Sequence, residues 1–397
     1  MSSTNQIIEK CKKYGANNYS PKDVVFSNAE GCIVTDPEGK KYFDMLSAYS
    51  ALNFGHRHPE IIQAAKEQLD KVTLTSRAFH NEVMGDFLEN LCALTKKDMA
   101  LPMNTGAEAV ETALKAARRW GNFVKDIEDG KQEIIVCNNN FHGRTISIIS
   151  MSTDFDARHG YGPFTKGFKT VSYGDLDGLK EAITENTVAF MMEPIQGEAG
   201  IIIPPPGFME KAYKVCKDNN ILFIADEVQT GFARTGRMFA CEWENVIPDI
   251  YVLGKALGGG VMPISAIAAN RDIMSVFTPG SHGSTFGGNP LACAVSAKAM
   301  EILVRDNYPK MAEEKGNYFI SKLKEIKNDD IVDIRGRGLL VGIEFNCNAS
   351  GYVKKLIENG ILAKETHEKI IRFAPPIVIE YEQLNHAVEK IKTALSS

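Results

Sequence analysis

The chain predicts an α/β fold, a mostly parallel central sheet flanked by helices, with a smaller α+β domain following it. Three observations carry this. From about 60 to 300, short apolar runs alternate with helical patterns, as strands joined by helical crossovers do. The runs at 133–137, 188–192, 221–225, 249–253 and 264–268 read as strands, and those that end before Asp226 and Lys255 read as buried parallel strands. Past 300 the alternation stops. A long helix near 291–305 leads to a polar helix (309–327), strands at 331–334, 339–344 and 370–373, and a closing helix near 381–395.

Before the alternation begins, the chain is mixed. Residues 32–44 read as a hairpin turning at Pro37-Glu-Gly39. The divisions follow: an N-terminal segment (1–49) packing with the small domain, a large domain (50–300) and a small C-terminal domain (301–397). The clearest helix begins after Thr105. Val110, Ala113, Leu114 and Ala117 recur at i, i+3, i+4 and i+7, and Glu111 faces Lys115. Thr105 is a natural N-cap, and Thr105-x-x-Glu108 fits a capping box. Gly336-Arg-Gly338-Leu-Leu-Val-Gly342 has the wrong spacing for a dinucleotide fingerprint and lies on a strand.

Bulk properties exclude several functions. There are 45 basic and 50 acidic residues, a formal net charge of -5, and no basic cluster, which argues against a nucleic-acid surface. No apolar run approaches the roughly 18 residues a membrane helix needs. The N-terminus lacks both a signal-peptide core and a transit-peptide pattern, so a cytoplasmic protein is expected. Eight scattered cysteines without a C-x-x-C read as reduced thiols and not as disulfides or a zinc site. His56-Arg57-His58 reads as a polar turn before Pro59, and no metal is expected.

Two apolar runs end at charge. Residues 221–225 stop at Asp226, and 250–253 stop, after one Gly, at Lys255. Ligands of open α/β sheets bind at the carboxyl ends of the strands, so a carboxylate and an amine share the functional edge. That pair suits pyridoxal 5'-phosphate (PLP): the lysine forms a Schiff base and the aspartate keeps the pyridine nitrogen protonated. The capped helix supplies a phosphate site, because Gly106 at its first turn lets an anion approach free N–H groups. The loop Gly283-Ser-Thr285-Phe-Gly-Gly-Asn-Pro290 is a second phosphate candidate, or simply a tight turn.

With these pieces in order, the chain resembles the class-III, fold-type-I aminotransferases essentially end to end. The motifs are Phe141-His-Gly-Arg144-Thr, Glu193-Pro-Ile-Gln-Gly-Glu198, Asp226-Glu-Val-Gln229-Thr-Gly, Gly254-Lys255 and His282-Gly-Ser-Thr285-Phe-Gly-Gly-Asn-Pro290. The resemblance implies that Lys255 carries PLP and then moves the proton, and that Asp226 pairs with the pyridinium. It implies Gln229 at the phenolic oxygen, Phe141 on the ring face with His142 as pocket wall, and Gly106 and Ala107 at the phosphate. Thr285 would reach the phosphate of a neighbouring subunit, which makes the active site a property of a homodimer.

Within the family the chain is most similar to the branch acting on ornithine, through Gly15-Ala-Asn-Asn-Tyr19, Leu46-Ser-Ala-Tyr49-Ser, Thr73-Leu-Thr-Ser-Arg-Ala-Phe79, Leu101-Pro-Met-Asn-Thr105 and Ile371-Arg372-Phe-Ala-Pro-Pro. The acetylornithine and 4-aminobutyrate branches share the catalytic motifs. The similarity implies L-ornithine and 2-oxoglutarate as substrates. Arg144 would hold the ornithine carboxylate, Tyr19 its α-amino group, and Tyr49 would line the same pocket. Arg372 would take the second carboxylate of 2-oxoglutarate, and Glu198 would pair with Arg372 when that carboxylate is absent. Glu193 lies near them in the family pattern.

Overall fold

The computed structural model describes residues 3–396. Its strands, in chain order, begin with β1 (Asn28–Glu30), β2 (Ile33–Thr35), β3 (Lys41–Asp44), β4 (Met99–Met103) and β5 (Glu133–Cys137). They continue with β6 (Phe168–Val171), β7 (Thr187–Met192), β8 (Leu222–Asp226), β9 (Ile250–Leu253) and β10 (Ser265–Ala269). The last five are β11 (Ile331–Arg337), β12 (Leu340–Phe345), β13 (Ile361–Leu362), β14 (Lys364–Thr366) and β15 (Ile370–Phe373).

The central sheet has seven strands in the order β4-β10-β9-β8-β7-β5-β6. Neighbours from β9 to β6 pair in parallel, and only β10 runs against the rest. The five strands expected from apolar runs are present to within one residue. Two others, β4 and β6, do not stand out in the sequence, and both lie at the edges of the sheet. An edge strand needs neither an unbroken apolar run nor every N–H, which is why β4 tolerates Pro102 and β6 carries Lys169 and Thr170. β7, β8 and β9 are buried at every position, as central strands covered on both faces must be.

The hairpin at 32–44 forms as β2 and β3, turning through Gly39 at φ +87. β13 adds to β3 in parallel, so the N-terminal segment and residues 361–362 share one four-stranded sheet. A third sheet, β11-β12-β15-β14, is antiparallel throughout and forms the α+β part. The helices Pro290–Arg305 and Tyr381–Leu395 match expectation. The helix Tyr308–Leu323 stops short of 327, because its end tightens (Ile326 N–H to the Leu323 carbonyl, 3.0 Å) to turn into β11.

The helix Gly106–Phe123 packs on the sheet with Val110, Ala113, Leu114 and Ala117 all buried. Burial of each larger aliphatic side chain stabilises by about 1.5–3 kcal/mol. The expected Glu111–Lys115 pair does not form. Glu111 accepts instead from the Thr145 hydroxyl, and the Lys115 ammonium lies 2.8 Å from His282 Nδ1. An i,i+4 pair is worth only a few tenths of a kcal/mol, so tertiary partners outcompete it. No described helix is long and apolar enough to cross a membrane.

Candidate active site

Parallel strands deliver the chemistry to one edge. Asp226 is the last residue of β8, Lys255 follows β9 by two residues, Glu193 directly follows β7, and Gly106 opens the helix after β4. Together with Phe141, His142 and Gln229 they line one cavity. The sheet therefore gathers residues far apart in sequence at its carboxyl edge, as open α/β sheets do.

Asp226 lines the cavity. Its Oδ2 lies 2.6 Å from His142 Nδ1, and its Oδ1 accepts the Val228 N–H at 3.1 Å. The His142 side chain is fully buried, and its Nε2 has no partner. Burial alone would lower the imidazole's affinity for a proton, but the hydrogen bond and charge of Asp226, with the charge of Glu193, raise its pKa overall. Glu193 is buried beside them and accepts the Phe141 N–H at 3.1 Å. Desolvation pushes its carboxyl up to about 7. The sequence placed His142 as pocket wall; the structure adds that its Nδ1 contacts Asp226 and fixes the carboxylate's orientation. Glu193 ends an apolar strand just as Asp226 does, so the same signal marks it.

Lys255 sits where its amine holds a proton less tightly than a free lysine does. Desolvation is the main force lowering its pKa and the nearby Arg372 charge adds to it, against Glu198, Asp226 and Glu193. Its backbone is left-handed (φ +44), a strain of order 1–3 kcal/mol that the surrounding fold must hold in place.

The capped start of the helix after β4 is built as the sequence indicates. The Thr105 hydroxyl accepts the Glu108 N–H (3.2 Å), while the Glu108 carboxylate accepts the Thr105 and Asn104 N–H groups (2.8 and 2.9 Å). This leaves the N–H groups of Gly106 and Ala107 without an acceptor at the positive end of an 18-residue helix. A Cβ on Gly106 would lie 3.1 Å from Val228, so glycine keeps the approach open. Gln229 Oε1 is also buried without a partner. A carboxylate, an amine and Phe141 on one cavity lining, with free N–H groups at a helix start and an unmet amide oxygen, form a donor set that fits PLP.

Next to this cavity lies a closed ion pair. Arg372 Nη1, on β15, stands 2.7 Å from Glu198 Oε1, and Arg372 is only 2% exposed. Its Nη2 has no partner. The Tyr49 ring lies over the guanidinium at 5.3 Å from centroid to Cζ. Tyr49 belongs to a left-handed turn, Ser47 to Ser50, with φ of 51, 48, 60 and 70. Four such non-glycine residues cost about 1–2 kcal/mol each. Asp44 holds the turn by accepting the Leu46 and Ser47 N–H groups (3.0 and 2.8 Å) and by lying 2.8 Å from His56 Nε2. Nothing in the sequence around Tyr49 signals this geometry, since glycine is absent from the turn.

Three residues sit outside the cavity of this single chain. Arg144 has a 60% exposed side chain, 3.9 Å from Asp154, with its guanidinium 5.3 Å from the Phe141 ring centre. Tyr19 is 72% exposed, and Thr285 is exposed on its loop. In that loop it is Ser284 whose hydroxyl accepts from Asn104 Nδ2 (2.8 Å).

Comparison with known proteins agrees with this geometry. The family model for class-III aminotransferases matches residues 14–395. The chain is 61% identical over 392 residues to the ornithine aminotransferase of Geobacillus sp. (strain WCH70), covering 99% of this chain and 98% of that protein. It superposes on the crystal structure of the Toxoplasma gondii ME49 ornithine aminotransferase with a TM-score of 0.98, at 42% identity, covering 100% and 95% of the two chains. The acetylornithine aminotransferase of Elizabethkingia anophelis gives a TM-score of 0.92 at 49% identity, covering 100% and 99%. A match spanning every strand that feeds the site settles the lineage, and the chain belongs to the class-III aminotransferases.

Proposed function

We propose that this aminotransferase moves the δ-amino group of L-ornithine to 2-oxoglutarate in two half-reactions at one site. The products would be L-glutamate 5-semialdehyde, which cyclises because its own amine lies within ring-closing reach, and L-glutamate. The observation that carries the reading is the closed Arg372–Glu198 pair (2.7 Å) beside Lys255. A donor that must present its distal amine needs its α-carboxylate kept off Arg372, whereas an oxo acid with two carboxylates needs Arg372 free. The pair serves both by opening. Full-length identity to ornithine aminotransferases supports the same substrate.

PLP, when bound, supplies an electron sink for the carbon that loses its proton. Asp226, oriented by His142, would hold the ring nitrogen charged. The Gly106 and Ala107 N–H groups would hold the phosphate, Phe141 would cover the ring face and Gln229 would meet the phenolic oxygen. Lys255 would anchor the cofactor, and its neutral amine would take the proton from the amine-bearing carbon and return it. Arg144 and Tyr19 would receive the ornithine head group, with Tyr49 beside it.

We infer that the enzyme works in the cytoplasm as a homodimer. Phe79 (75% exposed), Leu69 (53%) and Phe286 (51%) leave large apolar side chains uncovered in a single chain, as a subunit interface would require. Thr285 would then reach the partner's phosphate. Acetylornithine is a second reading, favoured by the 49% identity to an acetylornithine enzyme. A panel of ornithine, N-acetylornithine, 4-aminobutyrate and putrescine with 2-oxoglutarate decides it, with the cyclised product trapped by o-aminobenzaldehyde. Ornithine should give the highest kcat/KM and the trapped product. A higher kcat/KM for N-acetylornithine overturns the assignment.

A further inference from the structure

We propose that Lys364 is a positioning residue for the half-reaction that uses the second carboxylate, acting through Tyr49 on Arg372. Lys364 stands directly opposite Arg372 in the β14–β15 register. Opposed residues of antiparallel strands project to the same face, and like charges there repel. The structure separates these two with one aromatic ring. The Lys364 ammonium donates to the Tyr49 hydroxyl at 3.0 Å, and the Arg372 guanidinium lies over the ring of the same tyrosine, 5.3 Å from its centroid. Tyr49 is thus gripped at its polar end by one cation while its face holds the other.

The consequence concerns the open state of the gate. Arg372 has three partners: the Glu198 carboxylate at 2.7 Å, the Gly197 carbonyl at 3.4 Å and the Tyr49 ring. Once Glu198 withdraws, a long carbonyl contact and the ring are what keep the guanidinium in place for an incoming carboxylate. A ring fixed at its hydroxyl is a better platform than one free to turn. The same strand also steadies the other half of the gate, since the Thr366 hydroxyl donates to the Glu198 carbonyl at 2.5 Å. β14 is itself tied to the N-terminal segment by Glu365, 2.6 Å from Lys22. One short edge strand therefore supports both sides of the pair, and Lys364 supports the side that binds substrate.

This inference rests on the proposed use of a dicarboxylic oxo acid, and glutarate, an unreactive dicarboxylate, tests it on the holoenzyme without turnover. The variants are Lys364→Met, Lys364→Arg, Tyr49→Phe and the double Lys364→Met/Tyr49→Phe. Loss of one charge-assisted hydrogen bond predicts an increase of about tenfold in the glutarate Kd and in the KM for 2-oxoglutarate in Lys364→Met. The KM for the amino donor should change by less than about twofold, and Lys364→Arg should recover most of the loss. The double variant should be no worse than Tyr49→Phe, because both substitutions remove the same contact. An unchanged glutarate Kd, equal losses in both half-reactions, or additive effects in the double variant overturn the inference. If Lys364→Met does not fold, the Lys364→Arg and Tyr49→Phe affinities decide by the same criterion. A wild-type protein that binds glutarate but ignores ornithine would refute the donor assignment and leave this test intact.

Discussion

Replacing Glu198 with alanine should weaken the protein and tighten its grip on dicarboxylates at the same time. Arg372 is buried, and Glu198 is its one carboxylate partner, at 2.7 Å, with 30% of the glutamate side chain still exposed. Removing one member of a buried ion pair costs about 3–5 kcal/mol. Solvent reaching Glu198 reduces that, so about 2 kcal/mol is the expected loss in the ligand-free protein. The same interaction is what an incoming carboxylate must displace. Its removal should lower the Kd for glutarate by up to roughly 30-fold, the equivalent of about 2 kcal/mol. Calorimetric titration of glutarate into wild-type and Glu198→Ala holoenzyme, with thermal melts in its absence, measures both sides. The variant should melt earlier alone and bind glutarate more tightly, and α-amino transfer from ornithine should become detectable. A glutarate Kd that is unchanged or weaker in the variant would show that Glu198 does not compete for Arg372, and the gating argument would fail.

Two further outcomes follow from the site. His142 has a raised pKa, burial opposing and Asp226 with Glu193 prevailing, while desolvation raises Glu193 to about 7. Both groups bind protons more tightly folded than unfolded, so their stabilisation is complete below the unfolded pKa values and is lost as pH rises through the folded ones. Urea unfolding should show the wild-type advantage over His142→Leu shrinking from pH 6 to pH 9; a constant or growing advantage would contradict the assignment. In Gly197→Ala, the new Cβ would fall 1.6 Å from Gln229 Oε1, forcing the amide aside. Losing one hydrogen bond should weaken PLP binding by about fivefold to tenfold with little change in Tm, because the displaced group is the end of a flexible side chain. Titration of the apoprotein with PLP reads this, and an unchanged affinity would remove Gln229 from the cofactor site.

The parts legible in the sequence are those fixed by local chemistry. A buried central strand must be an apolar run, so β5, β7, β8, β9 and β10 announce themselves, and the charge that ends β8 marks Asp226 at the functional edge. A helix that presents free N–H groups needs a cap, so Thr105 and Glu108 point to the cradle. Edge strands β4 and β6 escape notice because they need only half the pairing. Resemblance to a family supplied Arg372 and Glu198, which the local pattern could not join because they stand 174 positions apart, but only the fold shows that they touch.

Tertiary structure alone decided the rest. His142 became the partner of Asp226 because β5 and β8 end at the same edge, not because of anything in its neighbourhood of the chain. The left-handed turn at Ser47 to Ser50 runs against the intrinsic preference of every residue in it and is held by Asp44. Lys364 meets Tyr49 across 315 residues through the β14–β15 register. Sequence by itself determined most of the elements and that a lysine, an aspartate and a capped helix start share one edge, because those depend on burial, capping and strand ends. Which charged groups pair, which have their proton affinity shifted and which backbone is strained were settled by packing, because each depends on what distant segments bring within a few ångströms.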